Sequence, residues 1–239
     1  MIRINKYLSI CGVTSRRGAE QLIKKRRVTL NDLTVEALGT MVDESKDIVK
    51  VNGIEISPVS KLVYVLLNKP KNALTTLFDP FGRKTILYYI KNLKTRIYPV
   101  GRLDFDTDGV LLMTNDGELA YRLAHPKYEV EKIYRAVVSG TFTSESVKKI
   151  ADGIKLADGH IGRAKVKILK ADGTISKVIL TLTEGHKREV KQLLKAVGTP
   201  VRDLCRVEFA GLSNGGLKPG RWRYLNQAEI SDLKKLVDL

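Results

Sequence analysis

The hydrophobic pattern changes period along the chain. Ile4, Tyr7, Leu8 and Ile10 recur at helical spacing, and Ala19, Leu22 and Ile23 do so again after "GVTSRR". Two short helices are predicted, with Thr14 or Ser15 able to cap the second. "VTLND" and "VKVNGIEI" then read as short strands, and "SPVSK", Ser57 to Lys61, as a linker. Beyond it, "LVYVLLNKP", "RIYPVGRL", "GVLLMTND", "KIYRAVVSG", "AKVKILKA" and "KVILTLTEG" predict strands. "DGELAYRLAH", "TSESVKKIADG" and "HKREVKQLLKAVG" predict helices, and "NQAEISDLKKLVDL" a closing helix capped at Asn226. Strands and helices do not alternate regularly. The predicted class is therefore α+β: a small helical/β domain over 1–60, then a larger domain over 61–239 with a mixed, mainly antiparallel sheet and flanking helices. A length of 239 residues suits two such pieces.

Charge narrows the function. Lys and Arg number 42 against 26 Asp and Glu, a formal net charge of +16. An excess this large points to a polyanionic partner. An anionic membrane surface competes with nucleic acid for that role. No long apolar run, signal peptide or basic amphipathic tail is visible, so nucleic acid is favoured and no membrane association is expected. The excess is densest at the front. Over residues 1–30, Arg3, Lys6, Arg16, Arg17, Lys24, Lys25, Arg26 and Arg27 stand against Glu20 alone. Arg16 and Arg17 fall in the first turn of the second predicted helix, the wrong end for cations by the helix dipole. An external phosphate would account for them. Cys11 and Cys205 lack metal-type spacing and read as reduced thiols, which makes a cytoplasmic location the default. His125, His160 and His186 are scattered and form no ligand pattern, so no metal is expected.

"GRLDFDTDGVLLMTNDG", Gly101 to Gly117, holds Asp104, Asp106, Asp108 and Asp116. Position twelve counted from Asp104 is Asn115, so a calcium loop is excluded. No partner suggests a glycosidase pair. Asp108 and Asp116 each precede a glycine and read as turn formers. Asp104 ends a predicted strand beside a turn, with Arg102 on the same strand face. Spacing alone leaves it open between a structural salt bridge and a functional carboxylate.

Two resemblances bear on this. The order helix, "SRR", helix, "KKRRV", short strands resembles the S-four-type RNA-binding domain over about residues 1–60. It implies RNA contact by Arg16, Arg17, Lys24, Lys25, Arg26 and Arg27. "GRLDFDTDGVLLMTNDG" resembles the signature of the pseudouridine synthases, in the branch that contains ribosomal small subunit synthase A and large subunit synthase B. "LLNKP", "DPFGRKT", "HPKYEVEKIYRA", "EGHKREVKQLLKAVG" and "LKPGRWRYL" match further family segments in order, so the resemblance spans the chain. It implies a catalytic Asp104, a family tyrosine at Tyr134 and the basic neighbour of the aspartate at Lys191. Two positions depart from the pattern. Relatives usually have Arg where Lys191 stands, and Lys or Arg where His186 stands.

The implied reaction breaks the N1–C1′ bond of a uridine, turns the uracil and rejoins it through C5. No cofactor is needed. Asp104 acts at the ribose, either as nucleophile at C1′ or as base at C2′, and Lys191 keeps it ionised. The base is everted from the RNA, and Tyr134 is the candidate stacking face. Lys69, Arg83, Arg102, Lys132 and Arg188 are expected to hold the RNA backbone. The expected partner is ribosomal RNA, free or in an assembling ribosomal subunit, and the chain is expected to be a monomer. The segments look closer to the large-subunit branch. The alternatives are a small-subunit enzyme, a noncatalytic ribosome assembly factor, and a small-molecule glycosidase that the charge and the front domain disfavour.

Overall fold

The computed structural model describes residues 1–239 and divides into two compact units, Met1–Leu62 and Val63–Leu239. In the first, helices Ile4–Ile10 and Arg16–Lys24 precede a small antiparallel sheet. Its strand order is Leu33–Thr34, Val28–Leu30, Val49–Val51, Ile54–Ile56. Ser15 caps the second helix by accepting from the Gly18 amide at 3.0 Å. Ile4, Leu8, Ala19, Ile23, Val28 and Val49 close the core, so each helix buries one stripe and exposes the other.

The second unit is built on one mixed sheet. Its order is Lys165–Ala171, Ile175–Leu182, Lys132–Ser139, Val201–Phe209, Asp108–Thr114, Tyr64–Lys69, Trp222–Tyr224. Every neighbouring pair on this path is antiparallel except Val201–Phe209 against Asp108–Thr114. The α+β class and mainly antiparallel sheet agree with the sequence pattern. Val201–Phe209 was not anticipated. Its "VRDLCRVEF" interleaves Arg202, Asp203, Arg206 and Glu208 with apolar residues and so lacks a clean apolar run. It is nonetheless central, because Arg206 is itself buried and donates from Nε to the Val110 carbonyl at 2.8 Å.

Helices Gly117–Ala124 and Gln227–Lys235 contribute to one core cluster, and Ser144–Asp152 and Glu189–Ala196 to another. The Asn226 cap is present as a full capping box with Glu229. Asp116 caps helix Gly117–Ala124 by accepting from the Leu119 amide at 3.0 Å, and Asp108 opens a strand. Neither aspartate is the simple turn former that its following glycine suggested. Gly109 has φ +112°, and a Cβ there would lie 2.1 Å from the Arg206 carbonyl oxygen. The parallel contact of the two strands therefore requires glycine at this position. No helix is long and apolar enough to cross a membrane.

Candidate active site

Strands Tyr64–Lys69 and Asp108–Thr114 pair with Lys69 opposite Gly109. The end of the first strand thus lies beneath the loop that precedes the second. Lys69 is fully buried there. Its ammonium donates to the carbonyls of Pro70 at 3.1 Å, Asp104 at 3.0 Å and Thr107 at 2.8 Å. The Thr107 amide also donates to the Asp104 carbonyl at 3.2 Å, so the loop turns and aims its carbonyls inward. Thr75 Oγ1 donates to the Leu103 carbonyl at 2.6 Å, and the Asn72 amide to the Phe105 carbonyl at 2.7 Å. The backbone carrying Asp104 is tied on both flanks, which fixes where its side chain stands.

The expected RNA contact of Lys69 is therefore corrected. A strand-end lysine under a turn finds carbonyls before it finds solvent, and this one is spent on the loop. Burial pulls its ammonium down to about 8, against partial support from Asp108, Asp104 and Asp106. Lys132 is corrected for the same reason. Its ammonium donates to the carbonyls of Val130 and Thr183, both at 2.7 Å. Burial, with Arg206 nearby, lowers it to about 8 as well.

Lys191 Nζ lies 3.0 Å from Asp104 Oδ2 and 2.5 Å from Asp106 Oδ1. Its side chain is only 12% exposed, and that of Asp104 is 36% exposed. Lys191 occupies the first turn of helix Glu189–Ala196, where the helix dipole disfavours a cation; the two carboxylates offset that cost. The residue before the helix, Arg188, has φ +55°, a rare backbone for a side chain of its size. Asp106 was missed as a site residue. Burial pushes its carboxyl up, but the Lys191 hydrogen bond and charge, with Arg188, hold it below the ordinary range. Its spacing of two from Asp104 was the available signal.

A pocket opens beside Asp104 and Lys191. Tyr134, Leu103, Leu182, Val190 and Leu204 supply its apolar lining, and Arg102, Glu184, His186 and Arg188 its polar lining. Tyr134 is half-buried and follows a register shift in strand Lys132–Ser139, a bulge that re-aims side chains. A wider cleft next to it is lined by Asp104, Phe105, Arg83, Arg102, Lys187 and Arg188. Arg83 there is held by Asp79, with Nη2 at 2.6 Å from Oδ1 and Nε at 3.2 Å from Oδ2. A third opening on the Asp106 side is rimmed by Lys71, Arg188, Lys191, Lys195 and Arg202. The arrangement is a half-buried carboxylate beside a cation, at the mouth of a partly apolar pocket with basic flanks. It can present charge to a sugar while the lining holds a flat ring.

The six front-domain cations lie on the other unit. Arg16, Arg17, Lys24, Lys25, Arg26 and Arg27 are all exposed on or just after helix Arg16–Lys24. Arg26 pairs with Glu36 at 2.7 Å, and Arg27 donates to Asn52 Oδ1 at 2.5 Å. Two of the histidines scattered along the sequence, His160 and His186, meet in space with Glu184 beside the pocket.

Comparison with known proteins places this geometry. Residues 63–196 match the family described as RNA pseudouridylate synthase. An RNA pseudouridine synthase of Aquifex aeolicus (strain VF5) is 44% identical over 239 residues, covering 100% of this chain and 96% of its own length. The ribosomal large subunit pseudouridine synthase B of Bacillus subtilis (strain 168) is 42% identical over 240 residues, covering 100% and 98%. A crystal structure of a pseudouridylate synthase aligns over 98% of this chain and 100% of its own, with a TM-score of 0.70 at 26% identity. The chain belongs to the RNA pseudouridylate synthase family and is an enzyme that converts uridine to pseudouridine in RNA.

Proposed function

We propose that the substrate is a uridine in the large-subunit ribosomal RNA and that Asp104 attacks or deprotonates its ribose. The observation that carries this reading is the Asp104–Lys191 pair, 3.0 Å apart at the pocket mouth. A carboxylate needs its negative charge to act at C1′ or C2′, and an adjacent ammonium favours that charged form. Tyr134 and the apolar lining receive the everted uracil, which spares the base from water while it turns over. Arg102 and Arg188 hold flanking phosphates from the cleft walls. Full-length similarity to the Bacillus subtilis enzyme supports the large-subunit assignment.

The unit Met1–Leu62 serves as an S-four-type RNA-binding domain. Its support is the exposed basic helix, whose first turn holds Arg16 and Arg17 and no acidic residue. A phosphate at that helix end would meet both side chains and the dipole. The enzyme works in the cytoplasm as a monomer, on ribosomal RNA that is free or in an assembling subunit.

The test is a map of pseudouridine in both ribosomal RNAs, in cells lacking the endogenous enzyme and supplied with wild type or Asp104→Asn. One or a few neighbouring large-subunit sites should appear with wild type and vanish with the variant, while RNA affinity is kept. The rate should fall by at least about 10³-fold, the scale for losing a charged group made essential in the transition state. Sites in small-subunit RNA would move the assignment to the other branch. Modification retained by Asp104→Asn would reject Asp104 as the acting residue.

A further inference from the structure

His160 and His186 come from separate loops and stack face to face, with centroids 3.7 Å apart and planes at 13°. Glu184 Oε2 lies 2.6 Å from His160 Nε2 and 3.4 Å from His186 Nε2. The shorter approach is not aligned as a hydrogen bond, so His160 Nε2 is buried without a hydrogen-bond partner. Asp158 Oδ2 reaches the other nitrogen of His186, Nδ1, at 3.3 Å. The ligand atoms of His160, Glu184 and His186 all lie within 4.8 Å of one another.

Protein groups alone satisfy this cluster poorly. Two imidazolium rings in a stack repel. With neutral rings, an Nε2–H on His160 faces Glu184 without the alignment of a hydrogen bond, and an unprotonated Nε2 sets its lone pair against the carboxylate oxygen. A cation among the three atoms relieves both conflicts. Two imidazole nitrogens and one carboxylate are the donors of zinc-class ions, whereas magnesium and calcium take oxygen ligands. Asp158 supplies what ligating histidines commonly have, a carboxylate on the second nitrogen, which leaves Nε2 as the lone pair.

Both rings also stand on fixed backbone. The His186 amide donates to Glu189 Oε2 at 2.8 Å, and Glu189 is buried. The His160 amide donates to Asp158 Oδ1 at 3.1 Å, and its carbonyl accepts from the Leu156 amide at 2.7 Å.

We infer that His160, Glu184 and His186 form a binding site for one zinc-class divalent ion, with Asp158 orienting His186 and water completing the coordination. On binding, the stacked rings splay so that both Nε2 atoms face one point. Glu184 and His186 also line the pocket beside Asp104 and Tyr134. The ion therefore sits on the rim of the active site and adds positive charge where His186 stands in place of a permanent cation. Its effect on RNA rests on the function proposed above; the metal binding does not.

The test titrates the purified full-length protein with zinc alone against a chromogenic chelator, and follows the histidine ring signals by NMR. One equivalent should bind, shifting the His160 and His186 rings and leaving His125 in place. His160→Gln and His186→Gln should each weaken binding by about tenfold or more, and Asp158→Asn by about tenfold, with apo thermal melts showing that the variants fold. The two thiols compete weakly, since burial pushes both Cys11 and Cys205 up to about 11. The NMR result on wild type stands even if a variant fails to fold. No zinc uptake, uptake unchanged in the double histidine variant, shifts at His125 instead, or equal affinity for magnesium would each overturn the site. Pseudouridine formation plays no part in these readouts, so their failure leaves the enzymatic reading standing.

Discussion

The basic helix of one unit and the lysines around Asp104 in the other use their charge in opposite ways. In Met1–Leu62, Arg16, Arg17, Lys24 and Lys25 stand in solvent on one helix, and no carboxylate answers them. In Val63–Leu239, three lysines around the Asp104 loop and pocket turn inward, Lys69 onto three carbonyls, Lys132 onto two, and Lys191 onto Asp104 and Asp106, while Arg102 and Arg188 stay exposed at the pocket. A buried ammonium is costly unless its protons are all used, so the inward set is committed to holding backbone and carboxylates in place. The outward set is committed to nothing within the protein. It remains available to an external polyanion, where release of counterions makes each charge count. Net charge alone does not separate the two sets, although they differ in what their removal breaks.

Lys69→Met keeps the stem of the side chain and removes its three donors. Three loop carbonyls lose their partner, and since each orphaned buried group costs roughly 1–3 kcal/mol, unfolding free energy should fall by about 3 kcal/mol or more. Denaturant unfolding reads the loss, and pseudouridine formation should drop with it because the Asp104 backbone is no longer held. A variant as stable and active as wild type would show that Lys69 is not the loop's anchor.

Lys191→Met separates positioning from stability inside the same unit. It leaves Asp104 and Asp106 side by side without their shared cation. The turnover rate should fall by about 10²-fold, as for loss of one charge-stabilising group. The Asp106 carboxyl, held low by the Lys191 hydrogen bond and charge, should titrate higher in the variant, read by carboxyl-carbon NMR. Lys191→Arg should bring it back down, a result that a purely structural role for Lys191 would not give.

The α+β class, the run of strands and the caps at Ser15 and Asn226 follow from local periodicity and short-range hydrogen bonds, which sequence carries directly. The signature around Asp104 carried the family. The direction in which a lysine points is set by distant segments. Lys69 and Lys132 look like any strand-flanking lysines until the Asp104–Thr107 turn and the Thr183 carbonyl arrive from elsewhere. Val201–Phe209 was hidden because a buried Arg206 breaks its apolar pattern. The meeting of His160 with His186 depends on two loops that no spacing rule connects.

The outward set should respond to salt and hardly to denaturant. Replacing Arg16, Arg17, Lys24 and Lys25 together by Gln should lower the slope of log affinity against log salt by about 0.7–0.9 for each phosphate no longer neutralised. Each change should alter unfolding free energy by no more than about 0.5 kcal/mol, as for exposed sites without partners. Binding titrations across a salt series measure the first and denaturant melts the second. An unchanged slope would remove the helix from the RNA interface and erase the contrast between the units.

The smallest effect concerns pH and comes from the inward set. Burial brings Lys69 from 10.5 down to about 8. Below about 8 it is charged in both the folded and the unfolded chain. Between about 8 and 10.5 the folded chain holds it neutral while the unfolded chain still binds the proton, so stability contributed by this group rises with pH across that window. Activity should move the other way. A neutral amine has two N–H donors for the three carbonyls of Pro70, Asp104 and Thr107, and one end of the loop is released. Turnover should therefore step down modestly as pH rises through about 8, with no matching loss of unfolding free energy from this group. Parallel pH series of rate and denaturant stability, with the ammonium nitrogen of Lys69 followed by NMR, test the opposition. A rate that holds steady while that nitrogen titrates would mean that two donors suffice to keep Asp104 in place, and that the third carbonyl is ballast in the loop.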